Sequence, residues 1–188
     1  MSHEQPFNDI KESLKRVAGA LKQADVQFAL GGGLAIWARG GPATGHDLDL
    51  MVRPCDADRA LDALESEGLR IERPPENWLY KAWDGDVLVD LIFRPVGEPV
   101  DDGLFARADE LEVNSVPMQV MSVDDIMVAK LKALDEHELD YERPLEFARS
   151  LREQIDWDRV RQETRDSPYA KAFFTMVEEL GIVPRRYR

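Results

Sequence analysis

Three groups of residues have types and spacing suited to phosphoryl chemistry. Asp47-Leu48-Asp49 sits in HDLDLMV, which alternates polar and apolar residues as a strand does. Residues two apart on a strand share a face, roughly 6.6 Å apart along the chain. Two carboxylates so placed can reach two magnesium ions about 3.5–4 Å apart, the geometry of two-metal phosphoryl transfer. Asp90 lies inside Val87-Leu88-Val89-Asp90-Leu91-Ile92-Phe93, a run with the composition of a central strand. A charge there is costly unless it is paired or bound to a metal. Arg53 and Arg94 are the partners nearest in sequence. If the Asp90 strand lies beside the Asp47 strand, three carboxylates converge and repel. A divalent cation removes that conflict, and magnesium suits an all-oxygen site. Gly31-Gly32-Gly33 falls at a strand-to-helix junction, where glycine lets the backbone approach a phosphate and the helix start attracts anions.

The elements that must position these residues are readable. Ile10, Leu14, Val17 and Leu21 recur at helical spacing and predict a first helix over 9–23, with Asn8 at its N-cap. VQFALGGG predicts a short buried strand, GLAIWARG a short helix, and GGPATGH a loop. Residues 56–67 read as a helix with Ala60, Leu61 and Leu64 inward, and LRIERPPENW as a strand stopped by prolines. WLYKAW and VLVDLIF flank Asp84-Gly85-Asp86, a hairpin signal. A short helix over 104–109 precedes a second pair of strands, LEV and PMQVM, turning at Asn114-Ser115.

The texture changes at Ser122. SVDDIMVAKLKAL opens with a capping box, Ser122 and Asp125. Ile126, Met127, Lys130 and Leu131 fall along one stripe, and LEFARSLREQ, DWDRVRQE and SPYAKAFFTMVEEL continue as helices. Ser167 is the N-cap of the last, with Pro168 at its first position. The expected fold is α+β: a mixed sheet flanked by helices over 1–121, followed by a helical bundle over 122–188.

The 188 residues carry 37 acidic and 24 basic side chains, a net charge of −13, which argues against a broad nucleic-acid footprint. The single cysteine, Cys55, excludes a disulfide framework and a cysteine metal knuckle. No apolar run approaches the ~18 residues of a membrane span, and MSHEQPFNDIKESLKR lacks a signal-peptide core. A cytoplasmic location without membrane partners is expected. Among secondary candidates, Arg39 can reach a phosphate or pair with a surface acid. His46, beside Asp47, can touch nucleotide or acceptor or simply occupy a turn. The four tryptophans read as core or rim residues. The basic tail, Arg185-Arg186-Tyr187-Arg188, is a frayed end or a nucleic-acid contact.

The order Leu30-Gly31-Gly32, then Asp47-Leu48-Asp49, then Asp90 within VLVDLIF resembles the DNA polymerase β-type nucleotidyltransferase superfamily, over residues 26–93. The resemblance implies transfer of a nucleoside monophosphate from a nucleoside triphosphate to an acceptor hydroxyl, releasing pyrophosphate. It implies that Asp47 and Asp49 hold two Mg2+ ions. Asp90 holds the one that activates the acceptor and can take its proton, while Gly31 and Gly32 cradle the triphosphate. GGGLAIWARGGPATGHDLDLMV is similar to two groups within the superfamily. One is the aminoglycoside and lincosamide nucleotidyltransferases. The other is the nucleotidyltransferase toxins of type IV toxin–antitoxin systems, some of which modify the 3′ end of tRNA. SVDDIMVAKLKAL resembles the toxin group, in which a helix presents a lysine to the active site; Lys130 is the matching position. Glu146, or else Asp140, matches a later acidic residue of that group. Thr44 stands one residue before the place where the group favours a hydroxyl, here Gly45. The favoured reading is the toxin-like one, with a tRNA 3′ end as acceptor and a cognate antitoxin as partner; the others are alternatives. The antibiotic-like reading makes the acceptor a small hydroxylated molecule. A non-catalytic nucleotide-binding or antitoxin-like module is the third reading.

Overall fold

The computed structural model describes residues 4–42 and 47–184, the first four as backbone only. The described residues form two compact units, one from 4–38 and 47–121, the other from 39–42 and 122–184.

The first unit is built on a seven-stranded mixed sheet. Its strands are β1 (Phe28–Leu30), β2 (Asp47–Val52), β3 (Arg70–Glu72), β4 (Leu79–Asp84), β5 (Val87–Ile92), β6 (Asp109–Val113) and β7 (Val116–Val120). They lie in the order β3-β4-β5-β2-β1-β7-β6. The β2–β5 and β1–β7 pairs are parallel and the others antiparallel, so the expected mixed sheet is what forms. Two tight turns set the outer registers. Gly85, at φ 60°, lets Asp84 pair directly with Val87. Asn114 and Ser115, at φ 50° and 64°, let Val113 pair with Val116, in the left-handed pair of conformations that matches strand twist.

Alternation gives the sheet two unlike faces. Leu48, Leu50, Ala82, Val89 and Leu91 are fully buried, and they neighbour one another through the β2–β5 and β4–β5 registers. Helices α1 (Glu4–Gln23) and α3 (Ala57–Ser66) pack on each other, α1 over β2, β5 and β7 and α3 over β3, β4 and β5. Ile10, Leu14, Val17 and Leu21 of α1 and Ala60, Leu61 and Leu64 of α3 are buried at the predicted spacing. Ser13 and Arg16 reach across to the Asp84 carboxylate at 2.8 and 2.5 Å. The other face carries Asp47, Asp49, Lys81 and Asp90, with α2 (Gly32–Ala38) beside β2. Helix α1 begins at Glu4, so Asn8 lies inside it rather than capping it; Pro6 falls in the first turn, where a missing N–H costs nothing. Helix α4 spans Asp102–Arg107, two residues earlier than expected. The Asp101 carboxylate fixes its start by accepting the Leu104 N–H at 3.0 Å.

The second unit is helical. It contains α5 (Val123–Lys132), α6 (Glu142–Leu151), α7 (Trp157–Glu163) and α8 (Pro168–Glu179). Ser122 caps α5 by accepting the Asp125 N–H at 3.1 Å, and Ser167 caps α8 in the same way through Ala170. Asp156 caps α7. Helix α5 packs on the other three, burying Ile126, Met127, Leu131, Phe147, Val160 and Phe173. Lys130 departs from the expected stripe: its neighbours are buried and it is exposed, as a long charged stem at the margin of an apolar face allows. Arg159 of α7 ties to α5 through Asp124 and Asp125. Among the described residues no helix is long and apolar enough to cross a membrane.

Ser115 is exposed and holds a left-handed conformation that disfavours a side chain. Ser115→Gly should therefore raise stability by roughly 0.5–1 kcal/mol, after allowing for the looser unfolded chain. Urea unfolding of both proteins checks this.

Candidate active site

Strand β2 puts Asp47 and Asp49 on the face opposite Leu48 and Leu50. The parallel register then sets Asp90 of β5 directly beside Asp49. All three offer a carboxylate oxygen within 4.8 Å of the others. Asp47 and Asp49 are half-buried, while Asp90 is only 9% exposed. The structure thus brings together the three acidic residues singled out in the sequence.

Burial pushes the Asp90 carboxyl above the ordinary aspartate range. Lys81 pulls it back through a hydrogen bond and its charge, and Asp47 pushes it up again. Neither Arg53 nor Arg94 is the partner of Asp90. Arg53 pairs with Asp102 at 2.6 Å, and the Lys81 ammonium donates to Asp90 Oδ1 at 3.0 Å. Lys81 was not among the sequence candidates. Counting outward from the Gly85-Asp86 turn would have found it, since Asp84 pairs with Val87 and each step back on β4 is one step forward on β5. Three such steps bring Lys81 opposite Asp90.

The glycines have a reason visible only in three dimensions. The Gly31 N–H donates to the Asp49 carbonyl at 2.8 Å. A Cβ at Gly31 would meet Met51 Cε at 2.8 Å and Met121 Sδ at 3.0 Å. Gly32 has φ 55°, and a Cβ there would fall 1.7 Å from Asp49 Oδ2. The backbone at Gly32 is therefore what the Asp49 carboxylate rests against.

Thr44 and His46 lie outside the described residues, as does the basic tail. Arg39, Lys130, Asp140 and Glu146 belong to the second unit. Arg39 is half-buried, and its carbonyl accepts the Gln154 side-chain amide at 3.0 Å. Lys130 is exposed. Glu146 lies 3.7 Å from Arg143 in an i, i+3 pair. Asp140 accepts the Glu142 N–H at 2.8 Å at the start of α6.

The donor set fits a hard divalent cation: three carboxylates, all oxygen, brought within 4.8 Å of one another, with the Lys81 ammonium on Asp90. The family described as "Uncharacterised nucleotidyltransferase" matches residues 9–182. The chain belongs to that family. It is an enzyme that transfers nucleotides. Its fold is similar to that of the antibiotic-resistance factor ANT(2″)-Ia, at 14% identity over 93% of this chain and 97% of that one, with a TM-score of 0.65. A crystal structure of ANT(2″)-Ia in complex with adenylyl-2″-tobramycin matches at 16% identity, 89% and 98% coverage, and a TM-score of 0.64. The lincosamide antibiotic adenylyltransferase LnuA, bound to lincomycin, matches at 13% identity, 72% and 92% coverage, and a TM-score of 0.51. At these identities the likeness establishes the fold of the nucleotidyltransferase. No curated protein matches the sequence.

Gly32→Ala should force the Asp49 carboxylate aside and strain a left-handed backbone. We expect a loss of about 1–2 kcal/mol in stability and nucleotide transfer reduced at least a hundredfold; thermal melting and a transfer assay measure the two.

Asp90 also predicts a pH dependence. Its carboxyl is raised on folding, so the native chain holds a proton that the unfolded chain has released. That contribution favours the native state at low pH and is lost as pH rises from the ordinary aspartate value through the raised one. In EDTA, Asp90→Asn should remove this loss, and its stability relative to the parent should grow as pH climbs from 4 to 7. Urea titrations at several pH values read the slope.

Proposed function

We propose that this nucleotidyltransferase moves a nucleoside monophosphate from a nucleoside triphosphate to a hydroxyl of a small, positively charged acceptor, using two Mg2+ ions. The convergence of Asp47, Asp49 and Asp90 within 4.8 Å carries the reaction. Asp47 and Asp49 are the residues to hold both ions, and Asp90 the residue to hold one of them. Bound there, magnesium supplies charge neutralisation for the triphosphate and acidifies the acceptor hydroxyl. The chain's own residues do the rest. Asp90 accepts the hydroxyl proton, as a carboxylate beside the acceptor can. The acceptor oxygen forms a bond to the α-phosphorus while the bond from that phosphorus to the bridging oxygen breaks, and pyrophosphate leaves. Gly31 and Gly32 are the residues to cradle the triphosphate, and Gly32 keeps Asp49 in line.

The charge of −13 supports a cationic acceptor, because opposite potentials steer encounter. A fold that matches ANT(2″)-Ia over 97% of that chain supports an acceptor of the same kind. The second reading is a tRNA 3′ end as acceptor, with the chain as the toxin of a toxin–antitoxin pair. What favours it is α5, which forms with its Ser122 cap and holds an exposed Lys130. In that reading Lys130 meets the triphosphate and Glu146 or Asp140 supplies a further acid.

The test offers each radiolabelled nucleoside triphosphate with a panel of aminoglycosides and, separately, with total tRNA. Label should appear on a small molecule, disappear with EDTA, and be absent with Asp47→Ala or Asp49→Ala, both of which should melt no lower than the parent in EDTA because a repelling carboxylate has gone. Label on tRNA alone would replace the acceptor class. Full activity in either variant would overturn the reaction itself.

A further inference from the structure

The cross-strand registers align four charged residues in one row across the sheet: Glu72 on β3, Lys81 on β4, Asp90 on β5 and Asp49 on β2. Adjacent members are one strand spacing apart, about 4.8 Å. The Lys81 ammonium therefore has a carboxylate on each side. It is bound to the inner one, Asp90, at 3.0 Å, while Glu72, the outer one, is exposed.

We propose that Lys81 is a positioning residue, the resident counter-ion of Asp90, and that a divalent cation entering the carboxylate cluster displaces its ammonium toward Glu72. The inference rests on the metal reading of the triad given above. Asp90 is the most buried of the three carboxylates, so it is the one for which an unpaired charge costs most. Lys81 meets that need with a single charge on a four-carbon stem. The stem keeps 28% of its side-chain surface exposed, against 12% for Asp90. A compact ammonium on a flexible stem can leave, where a planar bidentate guanidinium would hold on. Lys81 therefore keeps Asp90 charged and aligned before the cation arrives and opposes the cation when it does. Glu72 lowers that opposition by offering the ammonium a second partner.

The proposal gives two variants opposite signs. Mn2+ binding is measured by electron paramagnetic resonance titration without nucleotide, on the parent, Lys81→Met, Lys81→Arg and Glu72→Gln. Lys81→Met should bind Mn2+ about tenfold more tightly and melt lower than the parent in EDTA, with the gap closing on Mn2+ addition. Glu72→Gln should bind it about two- to threefold more weakly and melt as the parent does. Lys81→Arg should keep the EDTA melting temperature and gain no affinity. If Lys81→Met fails to fold, the weakened binding of Glu72→Gln decides. Equal affinities in all variants, or weaker binding by Lys81→Met, would overturn the counter-ion role and leave the metal reading standing. Absence of Mn2+ binding by the parent, with and without a non-hydrolysable nucleotide, would overturn the metal reading and this proposal with it.

Discussion

Repulsion among Asp47, Asp49 and Asp90 is the constraint around which the first unit is arranged. Three carboxylate oxygens within 4.8 Å of one another would spread apart on a flexible scaffold. Here the backbone does not let them. Asp49 and Asp90 are register partners in the parallel β2–β5 pair, and one residue away on each strand Leu48, Leu50, Val89 and Leu91 are sealed into the core with no exposed surface. Slipping either strand by one residue to separate the acids would turn that strand's two leucine or valine side chains to the opposite face. The cost of burying the apolar face is thus what holds the acidic face together.

Two further contacts complete the restraint. Gly32 brings backbone so close to Asp49 that no side chain fits between them, which closes one direction of escape. Lys81 binds Asp90 from the neighbouring strand at 3.0 Å and holds its carboxylate from that side. Three carboxylates held this close attract a doubly charged cation more than a singly charged one.

Much of this was readable from residue order. The alternation in HDLDLMV and the charge inside VLVDLIF named the three acids, and the turn at Gly85 named the hairpin. What was not readable depended on pairing between distant segments. Nothing local says that β5 lies parallel to β2, so the adjacency of Asp49 and Asp90 stood as a condition. The packing reason for Gly32 was not readable, because the carboxylate that rests against it comes from a strand fifteen residues away. Lys81 was missed although hairpin arithmetic alone reaches it, because attention went to arginines near Asp90 in sequence. Lys130 was placed in an apolar stripe by its period, which records where a Cα points and not where a long stem carries its charge. The start of α1 is read late in the sequence because Asn8 suits an N-cap, whereas the helix begins at Glu4 and carries Pro6 in its first turn, where proline is tolerated.

The site's dependence on distant pairing has a thermodynamic consequence. Asp47 and Asp49 come from one strand, but Asp90 joins them only when β5 docks on β2 across some forty residues of intervening chain. The unfolded chain therefore has a two-carboxylate fragment and no three-carboxylate site. A cation that requires all three binds the native state alone, and its binding free energy adds to folding as RT ln(1 + [L]/Kd), about 2.7 kcal/mol at a hundredfold excess over Kd. Carboxylate repulsion, which weakens the central strand pair, is reversed in sign by the same event. The central pair β2–β5 is then the element whose stability changes most between the apo and loaded chain, and the β6–β7 hairpin, whose register is set by a local turn, should hardly respond. The chemistry and the fold meet at that one parallel pair, because the residues that weaken it are the ones the reaction needs.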